Sequence, residues 1–248
     1  MLKVIINGCS GKMGRVLSKC VIDDSDLELV CGISPDNAED LNFKTYSNFD
    51  NIIEKADVVI DFSHHSALDS VLDYCLKTKT PLVIATTGYN NEELEKIYDA
   101  SKTIPLLHSY NMSLGINLLL RLVKEASKIL NTFDIEIIEK HHNKKVDAPS
   151  GTSVMIANTI KNVLPNIENN YGRYGRNAKR KENEIGIHAV RGGTIVGEHD
   201  VIFAGHDEVV EIKHTAHSKD IFAKGSIVAA KFIVNQNPGY YNMDNIFN

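Results

Sequence analysis

The stretch VIINGCSGKMGR, at residues 4–15, decides the fold of the first half of the chain. Its apolar run, Val4–Ile6, has the composition of a buried strand, and a helical pattern follows over Met13–Ile22. Three glycines stand between them at a spacing of three: Gly8, Gly11 and Gly14. Glycines let the backbone turn tightly and approach a pyrophosphate, and the start of the helix offers N–H groups with a partial positive charge.

Two interpretations of this glycine-rich turn are open. It binds a dinucleotide, or it is a tight strand-to-helix connection that binds nothing. Its GxxGxxG spacing departs from the common GxGxxG, which weakens the motif when it is taken alone. Its place between the first strand and the first helix of a βαβ series favours the dinucleotide.

Outward from this turn, strands and helices alternate. Short β-branched apolar runs are bounded by turn residues, and helical patterns lie between several of them. This rhythm predicts an α/β domain, a Rossmann-like doubly wound parallel sheet with right-handed crossovers. The predicted strands are Val4–Ile6, Leu29–Ile33, Val58–Ile60, Leu82–Ala85 and Leu106–Leu107, and the predicted helices are Met13–Ile22, Ser66–Lys77 and Asn91–Ser101.

The rhythm changes after Asn111, where longer helices and consecutive strands indicate a second, α+β domain with an antiparallel or mixed sheet. Pattern alone leaves open which domain the last helix joins. The predicted helices are Leu114–Leu130, Thr152–Val163 and Phe222–Val234. The predicted strands are Ile135–Glu139, Ile185–Val190, Thr194–Phe203 and Glu208–His217, with a hairpin turn at Gly205-His206-Asp207 before the last.

Composition and charge exclude several classes of protein. The chain has 248 residues, 43% of them hydrophobic, which suits a globular protein, and its formal charge of -5 gives no reason to expect nucleic acid as a partner. A basic stretch, Arg173–Lys181, is interpreted as a solvated loop. No apolar run reaches the roughly 18 residues of a membrane helix, and no signal-like segment opens the chain. We therefore expect a cytoplasmic protein that binds no membrane, with its four cysteines reduced.

The end of the second predicted strand lacks the acid that NAD-type sites use. That acid would hold the ribose 2′-hydroxyl, but the strand ends Gly32-Ile33-Ser34-Pro35, and Asp36 lies two residues too late. Ser34 does not repel a 2′-phosphate as a carboxylate would. We therefore expect NADPH to be used at least as well as NADH.

The most informative segment is EKHHNKKVDAPSGT, at residues 139–152. It leaves a strand, crosses a polar loop and enters a helix at Ser150-Gly151-Thr152, where hydroxyls and N–H groups at a helix N-terminus can bind an anion. Lysines add positive charge, and the histidines can donate protons near neutral pH. One anion site, a cation and a proton donor within a dozen residues suit a carboxylate substrate.

Plainer interpretations apply to the same residues. Ser150 and Thr152 can be N-caps and nothing more. The pair His141-His142 is a poor metal site because adjacent residues of an extended chain point to opposite sides. His64-His65 also lacks a third ligand at usable spacing, so we expect no metal.

Taken together, these motifs resemble the dihydrodipicolinate reductases, now called 4-hydroxy-tetrahydrodipicolinate reductases. Residues 139–152 match every fixed position of the family pattern E-x-HH-x-x-K-x-DAPSGT, and the similarity extends over nearly the whole chain. Further matching segments are Gly8–Gly14, Asp61-Phe62-Ser63, Thr86-Thr87-Gly88, Asn111–Gly115, Arg191-Gly192-Gly193, Val196–His199 and Phe222–Gly225.

The resemblance implies an NADPH- or NADH-dependent oxidoreductase of the diaminopimelate route of lysine biosynthesis. The expected reaction takes (2S,4S)-4-hydroxy-2,3,4,5-tetrahydrodipicolinate, a small dicarboxylate, to tetrahydrodipicolinate with loss of water. It also implies a homotetramer formed through the second domain. The dinucleotide-binding domain would comprise residues 1–112 and 218–248, and the substrate-binding and tetramerisation domain residues 113–217.

The resemblance also implies roles for individual residues. His141 would be the general acid and Lys145 its partner. The substrate would be bound by His142, Lys145, Ser150, Gly151 and Thr152. The cofactor would be bound by Gly8, Ser10, Gly11, Lys12, Met13, Gly14, Ser34, Phe62, Thr86, Thr87, Gly88, Ser109, Tyr110, Asn111 and Met112.

Two competing hypotheses are open, one a second enzyme and the other a binding protein. One is a different Rossmann oxidoreductase, such as an aspartate dehydrogenase or a relative of homoserine dehydrogenase, but no motif favours it. The other is a dinucleotide sensor without catalysis. The presence of both His141 and Lys145 argues against a sensor, which has no need of an acid.

The coenzyme prediction can be tested at Lys12, which belongs to the glycine-rich turn and whose ammonium could reach a 2′-phosphate. We expect Lys12→Ala to raise the Michaelis constant for NADPH more than that for NADH. Steady-state kinetics with each coenzyme measures both values. An equal rise for the two coenzymes would remove Lys12 from phosphate recognition, and a strong NADH preference in the unmodified enzyme would contradict the interpretation of Ser34.

Overall fold

The structure, a computed structural model, describes residues 1–36, 38 and 40–247. They form two compact units: Met1–Leu114 with Lys219–Asn248, and Gly115–Ser218. No helix in the described ranges is long and apolar enough to cross a membrane.

The first unit is built on a parallel sheet, seven-stranded within the described residues, in the order β12-β6-β5-β4-β1-β2-β3. The chain runs outward from β1 in one direction and then returns to run outward in the other, so the strand order reverses between β1 and β4. Ligands of doubly wound sheets bind outside the carboxyl ends of the strands at such a reversal. The strands are β1 (Leu2–Asn7), β2 (Leu27–Ile33), β3 (Thr45–Tyr46), β4 (Val58–Asp61), β5 (Leu82–Ile84), β6 (Pro105–His108) and β12 (Gly239–Tyr241).

Helices cover both faces of this sheet. One face carries α1 (Lys12–Ile22) and α6 (Asp220–Ile233), whose buried residues join those of β1 and β4 in one apolar core. The other face carries α2 (Leu68–Thr78) and α3 (Asn91–Ser101) over a second core. The last helix thus belongs to the first unit, and the predicted Rossmann-like parallel sheet is confirmed.

Short strands were missed by the sequence patterns. The strands β3 and β12 extend the sheet at its two edges with only two and three residues each. The predicted helix Ser66–Lys77 begins with a 3-10 turn at His65–Ala67 before α2. Edge strands of this length carry too few residues for a period of two to be visible.

The second unit contains a mixed sheet, five-stranded within the described residues, in the order β11-β10-β7-β9-β8. Its strands are β7 (Asp134–His141), β8 (Glu168–Asn170), β9 (Glu184–Arg191), β10 (Gly197–Ala204) and β11 (Val209–Ala216). The helices α4 (Leu114–Ile129) and α5 (Gly151–Lys161) pack on one face, where Ile135 and Ile137 meet Ile156 and Ile160 in the core. The predicted second, mixed-sheet domain is confirmed.

Two predictions for this unit were wrong in detail. The strand predicted over Thr194–Phe203 begins only at Gly197, because the chain first makes a turn in which the Ile195 N–H donates to the Gly192 carbonyl and Gly193 has φ +47°. The Arg173–Lys181 stretch is not simply a solvated loop. The Arg173 guanidinium lies 2.6 Å from a Glu136 oxygen and 2.7 Å from a Glu184 oxygen, which ties the loop to the sheet.

Candidate active site

The glycine-rich turn follows β1 at the carboxyl edge of the first sheet. Gly8 has φ +82°, and a Cβ there would lie 2.5 Å from the Phe62 carbonyl oxygen. A Cβ on Gly14 would collide with the carbonyl oxygen of Gly8. The turn can keep this shape only with glycine at both positions, because a side chain would force the backbone segments apart.

The start of α1 has the features of an anion site. Gly11 is its N-cap residue and provides no side-chain cap, and the first turn contains no acidic residue. The leading N–H groups of the helix, with the positive end of its dipole, are therefore not satisfied by a side-chain cap. These residues fit the pyrophosphate of a dinucleotide, with Ser10, Lys12 and Met13 beside it in the turn.

Ser34 lies next to this turn, at the end of β2. It is buried, and its Oγ lies 2.6 Å from the Ser10 Oγ. A hydroxyl pair thus occupies the place where an NAD-type site has a carboxylate. Nearby, the Arg15 guanidinium donates to the Ser10 carbonyl and pairs with Asp40 at 2.6 Å, so a cation also borders the turn.

The other predicted cofactor residues follow the ends of neighbouring strands at the same edge. Phe62 follows β4, and its carbonyl faces Gly8; Thr86-Thr87-Gly88 follow β5. The Ser109–Met112 segment follows β6, where the Ser109 Oγ donates to the Asn111 carbonyl at 3.0 Å. The first unit thus brings together the ends of β1, β2, β4, β5 and β6, as a crevice at the strand-order reversal requires.

Asp61 supports this edge and was not assigned a role from the sequence. It is buried at the end of β4, where it accepts from Asn7 Nδ2 at 2.7 Å and from Ser63 Oγ at 2.6 Å. Burial raises the pKa of its carboxyl, against the opposing effect of these hydrogen bonds. The Ser63 N–H donates in turn to Thr86 Oγ1 at 2.9 Å, so β1, β4 and β5 are linked at their ends.

His141 ends β7 in the second unit, with 12% of its side chain exposed. Its Nδ1 lies 2.6 Å from Glu139 Oε2. Register places Arg191 of β9 opposite His141, and both guanidinium arms of Arg191 donate to Glu139, at 2.7 and 2.8 Å. The predicted acid therefore lies against a buried carboxylate–arginine pair.

The DAPSGT segment turns from this strand into α5. Ser150 is the N-cap residue, and its Oγ accepts from the Ser153 N–H at 3.2 Å. Ser150 therefore does cap, as the plainer interpretation held. Its own N–H donates to Glu139 Oε1 at 3.0 Å, which holds the start of the helix beside His141. Gly151 and Thr152 form the first turn of α5, at the positive end of its dipole.

Lys145 lies in the turn between His141 and this helix, with 20% of its side chain exposed. Its Nζ donates to Asp147 Oδ1 at 2.8 Å, and this ammonium holds the pKa of the Asp147 carboxyl below its ordinary value. Asp147 is mostly exposed, so the ion pair is open to solvent, and Lys145 can exchange Asp147 for another anion. The half-buried His142 adjoins Lys145 in this loop.

A third imidazole, His199 of β10, was also missed. It lies opposite Glu139 in the register, its ring is 5.3 Å from that of His141, and its Nε2 is 3.0 Å from Ser150 Oγ. Burial, reinforced by the His141 ring, lowers the pKa of His199 to about 4, so it is neutral at pH 7. Its Nδ1 has no hydrogen-bond partner among the described residues. We assign the proton to Nε2, because the other tautomer would bury an N–H without an acceptor.

The sequence carried a signal for Glu139. It occupies the third place in the alternation Ile135, Ile137, Glu139, so a period of two puts a carboxylate on the apolar face of β7. A charge in that register needs partners. Arg191 and His199 lie in segments that match the family pattern, but those segments do not show that the two residues approach Glu139, because that depends on how three strands pair.

This arrangement can bind an anion and deliver a proton to it. The second unit combines a histidine held by a carboxylate, a lysine in an exposed pair and the N-terminus of a helix. Such groups stabilise negative charge that develops on a bound carboxylate-containing molecule and then quench it. No group of three or more potential metal ligands was found in the described part of the chain.

Comparison with known proteins agrees with these features. The family model for the N-terminus of dihydrodipicolinate reductase matches residues 2–112, and that for the C-terminus matches residues 115–247. A 4-hydroxy-tetrahydrodipicolinate reductase of Caldanaerobacter subterraneus subsp. tengcongensis is 54% identical over 247 residues, covering 99% of this chain and 98% of that protein. The enzyme of the same name from Clostridium tetani is 50% identical, covering 100% and 98%.

A solved structure shows the same fold. The dipicolinate-bound dihydrodipicolinate reductase of Paenisporosarcina sp. TG-14 superposes with a TM-score of 0.84 at 24% identity, and the match covers 99% of each chain. The aspartate dehydrogenase of Thermotoga maritima has a TM-score of 0.54 at 12% identity, covering 93% of this chain and 96% of that one. Such likenesses concern the fold alone.

Gly197 leaves room for the second ring nitrogen of His141. A Cβ added there would lie 3.1 Å from His141 Nε2, closer than side chains normally pack, so the ring would have to shift by a few tenths of an ångström. We expect Gly197→Ala to lower reductase turnover by about 10-fold, because small displacements of a reacting group are costly. Initial rates at saturating substrate measure this effect.

Gly192→Ala is the matched control, since a Cβ there would meet only Ile195 Cδ1 at 3.9 Å. It should leave turnover near the unmodified value. Equal rates for the two variants would show that the clearance at Gly197 does not matter to His141.

Proposed function

The chain belongs to the dihydrodipicolinate reductase family, and from this we propose the reaction and the residues that perform it. The protein is a 4-hydroxy-tetrahydrodipicolinate reductase. It converts (2S,4S)-4-hydroxy-2,3,4,5-tetrahydrodipicolinate to tetrahydrodipicolinate, with uptake of a hydride and a proton and loss of water. The observation that carries the proposal is the buried Glu139 holding both His141 and the start of α5.

The substrate is a dicarboxylate, and two groups in the second unit suit its carboxylates. The N-terminus of α5, with Gly151 and Thr152, provides N–H groups and a favourable dipole. Lys145 can leave Asp147 for a substrate carboxylate, because its present partner is largely exposed. His142 lies in the same loop, and Ser150 holds the helix end in place.

His141 is the general acid. Loss of water, the 4-hydroxyl together with a proton from the neighbouring carbon, turns the substrate into a conjugated imine. Hydride addition to this imine builds negative charge that a proton must quench. Glu139 accepts from Nδ1, so the ring delivers its proton from Nε2, where Gly197 leaves space. Lys145 stabilises the charge that develops before the proton arrives.

NADPH or NADH, when bound, supplies the hydride. The cofactor phosphates are held by Gly8, Ser10, Gly11, Lys12, Met13 and Gly14, where α1 begins without a side-chain cap. The remaining contacts come from Ser34, Phe62, Thr86, Thr87, Gly88 and the Ser109–Met112 segment. The hydroxyl of Ser34, in the place of an acid, supports use of NADPH at least as good as that of NADH.

Domain roles and location complete the proposal. The first unit is the dinucleotide-binding domain, and the second is the domain for substrate binding and tetramerisation. The protein acts in the cytoplasm, where a lysine-biosynthetic reductase finds its substrate and coenzyme.

A coupled assay with the upstream synthase, pyruvate and aspartate semialdehyde tests the function directly. Oxidation of NADPH or NADH that depends on the coupled substrate supports it, and its absence would point to a dinucleotide sensor.

Removal of His141 and Lys145 should separate chemistry from binding. We expect His141→Gln to lower turnover by about 10²–10⁴ with nearly unchanged substrate affinity, because an acid acts in the transition state. Lys145→Ala should lower turnover and raise the Michaelis constant together. The double variant should lose less than the product of the single losses, since both residues act on one developing charge.

Neither change should weaken NADPH binding, which fluorescence titration measures as a control for folding. Retention of more than about a tenth of the turnover by His141→Gln would remove His141 as the acid, given the usual size of the effect.

Assembly is a further part of the proposal. The strand β11 forms one edge of the second sheet, and its Val209 and Val210 are 58% and 38% exposed. Closed symmetric association covers such edges. We expect light scattering at micromolar concentration to give four times the mass of the chain, whereas a monomer mass would contradict a homotetramer.

A further inference from the structure

Glu139 touches neither substrate nor cofactor in the proposed reaction, yet four hydrogen bonds fix its carboxylate. Its side chain has no solvent exposure. Oε2 accepts from His141 Nδ1 at 2.6 Å and from an Arg191 arm at 2.7 Å. Oε1 accepts from the other Arg191 arm at 2.8 Å and from the Ser150 N–H at 3.0 Å.

We propose that Glu139 is the positioning residue of this active site: it keeps the proton of neutral His141 on Nδ1, so that Nε2 alone gives and regains the catalytic proton. The proposal rests on the assignment of His141 as the acid. It adds a residue that acts only through another group and touches neither substrate nor cofactor.

The carboxylate is the form that fits these contacts. Burial alone would raise the pKa of the Glu139 carboxyl, but the hydrogen bonds from Arg191, His141 and the Ser150 N–H outweigh burial and hold the pKa below its ordinary value. An ionised carboxylate only accepts hydrogen bonds. Nδ1 must therefore donate, both in the neutral ring and in the imidazolium.

Arg191 explains how the histidine can lose its proton without disrupting the site. The guanidinium remains charged and binds Glu139 through two arms. The carboxylate thus keeps a counter-charge when His141 becomes neutral. The ring returns from each cycle to the same orientation, since the Nδ1–H···Oε2 bond persists in both protonation states.

The same carboxylate also fixes the binding end of the site. It holds the Ser150 N–H, while Arg191 donates to the Asp147 carbonyl at 2.7 Å. Asp147 in turn accepts from Lys145. The Glu139–Arg191 pair therefore holds His141, the turn that contains Lys145 and the start of α5.

The groups that face His141 come from several elements. Glu139 is on its own strand, Arg191 on β9 and His199 on β10, and Lys145 and Asp147 lie in the following turn. His199 is neutral at pH 7, and the pKa values of the Glu139 and Asp147 carboxyls are held below their ordinary values.

Glu139→Gln tests the proposal because it keeps the shape and reverses one hydrogen-bonding role. With the amide oxygen at the Oε1 position, it still accepts from Arg191 and from Ser150. The amide NH₂ then occupies the Oε2 position, where it loses the bond from one Arg191 arm and can only donate to His141 Nδ1. The opposite amide orientation would set NH₂ against the other Arg191 arm and the Ser150 N–H, two donors that cannot become acceptors. We therefore expect the neutral ring to change to the Nε2–H tautomer.

Two measurements follow. Magic-angle-spinning ¹⁵N NMR of histidine-labelled protein should show Nδ1–H in unmodified His141 and Nε2–H in Glu139→Gln, with the signal identified by its absence from His141→Gln. Turnover should fall about 10²-fold or more, the usual scale for a displaced or wrongly protonated histidine. The limb of the pH–rate profile that reports loss of the acid should move to lower pH, because the imidazolium loses its acceptor.

Glu136→Gln is the matched control. Glu136 lies on the same strand, facing the opposite side of the sheet, and accepts from both arms of Arg173 and from His188 Nε2 at 2.8 Å. A merely structural glutamate would behave the same at either position. The control should lower the melting temperature without changing the His141 tautomer or the pH profile.

The outcomes are distinct. An Nε2–H tautomer in the unmodified protein overturns the proposal even if Glu139→Gln does not fold. Unchanged tautomer and pH profile in a folded Glu139→Gln variant also overturn it. If the unmodified protein does not reduce the substrate, the proposed function fails, while the tautomer measurement still decides whether Glu139 positions His141.

Discussion

Glu139 is a charge without access to water, on the side of a strand that otherwise supplies the apolar core beneath α5. Such a group is tolerated only when its lone pairs are occupied, and removing one partner of a buried ion pair typically costs about 3–5 kcal/mol. Here the donors come from β7, β9 and the first residue before α5. The requirement to satisfy one carboxylate thus anchors the polar segment 142–149, most of which is exposed.

The first unit depends on a different constraint, the close approach of backbone segments. Gly8 contacts the Phe62 carbonyl and Gly14 contacts Gly8, so β1, the segment after β4 and the start of α1 meet with no side chain between them. Backbone N–H groups at the start of α1 are thereby brought to the surface of the carboxyl edge. The two units thus depend on different constraints. In the first unit the glycines leave no side chain between backbone segments, and in the second unit a buried charge has all its hydrogen bonds made.

Much of this could be predicted from the sequence where a pattern is local. The parallel strands are continuous apolar runs, and the glycine-rich turn and the 139–152 segment lie within single stretches of chain. The missed strands β3, β8 and β12 are two or three residues long, and pairing with longer neighbours stabilises them rather than their own composition. Likewise, the sequence predicts that Arg173 lies in a solvated loop, because its contacts with Glu136 and Glu184 form only when the strands of the sheet pair. Arg191 and His199 lie in segments that match the family pattern, but their approach to Glu139 and His141 depends on register and has no local signal.

Glu136 and Glu139 show why residue types alone could not distinguish a structural glutamate from one beside the proposed acid. Both are glutamates of β7 that accept from an arginine fork and from a histidine. The Glu136 cluster lies in the middle of the sheet surface and ties down a loop. The Glu139 cluster lies where the strand ends, beside a helix N-terminus and a lysine, and Gly197 places no side chain against the far nitrogen of its histidine. The same set of groups ties down a loop in one place and, in our proposal, serves proton transfer in the other, because only the second lies beside a lysine and the N-terminus of a helix.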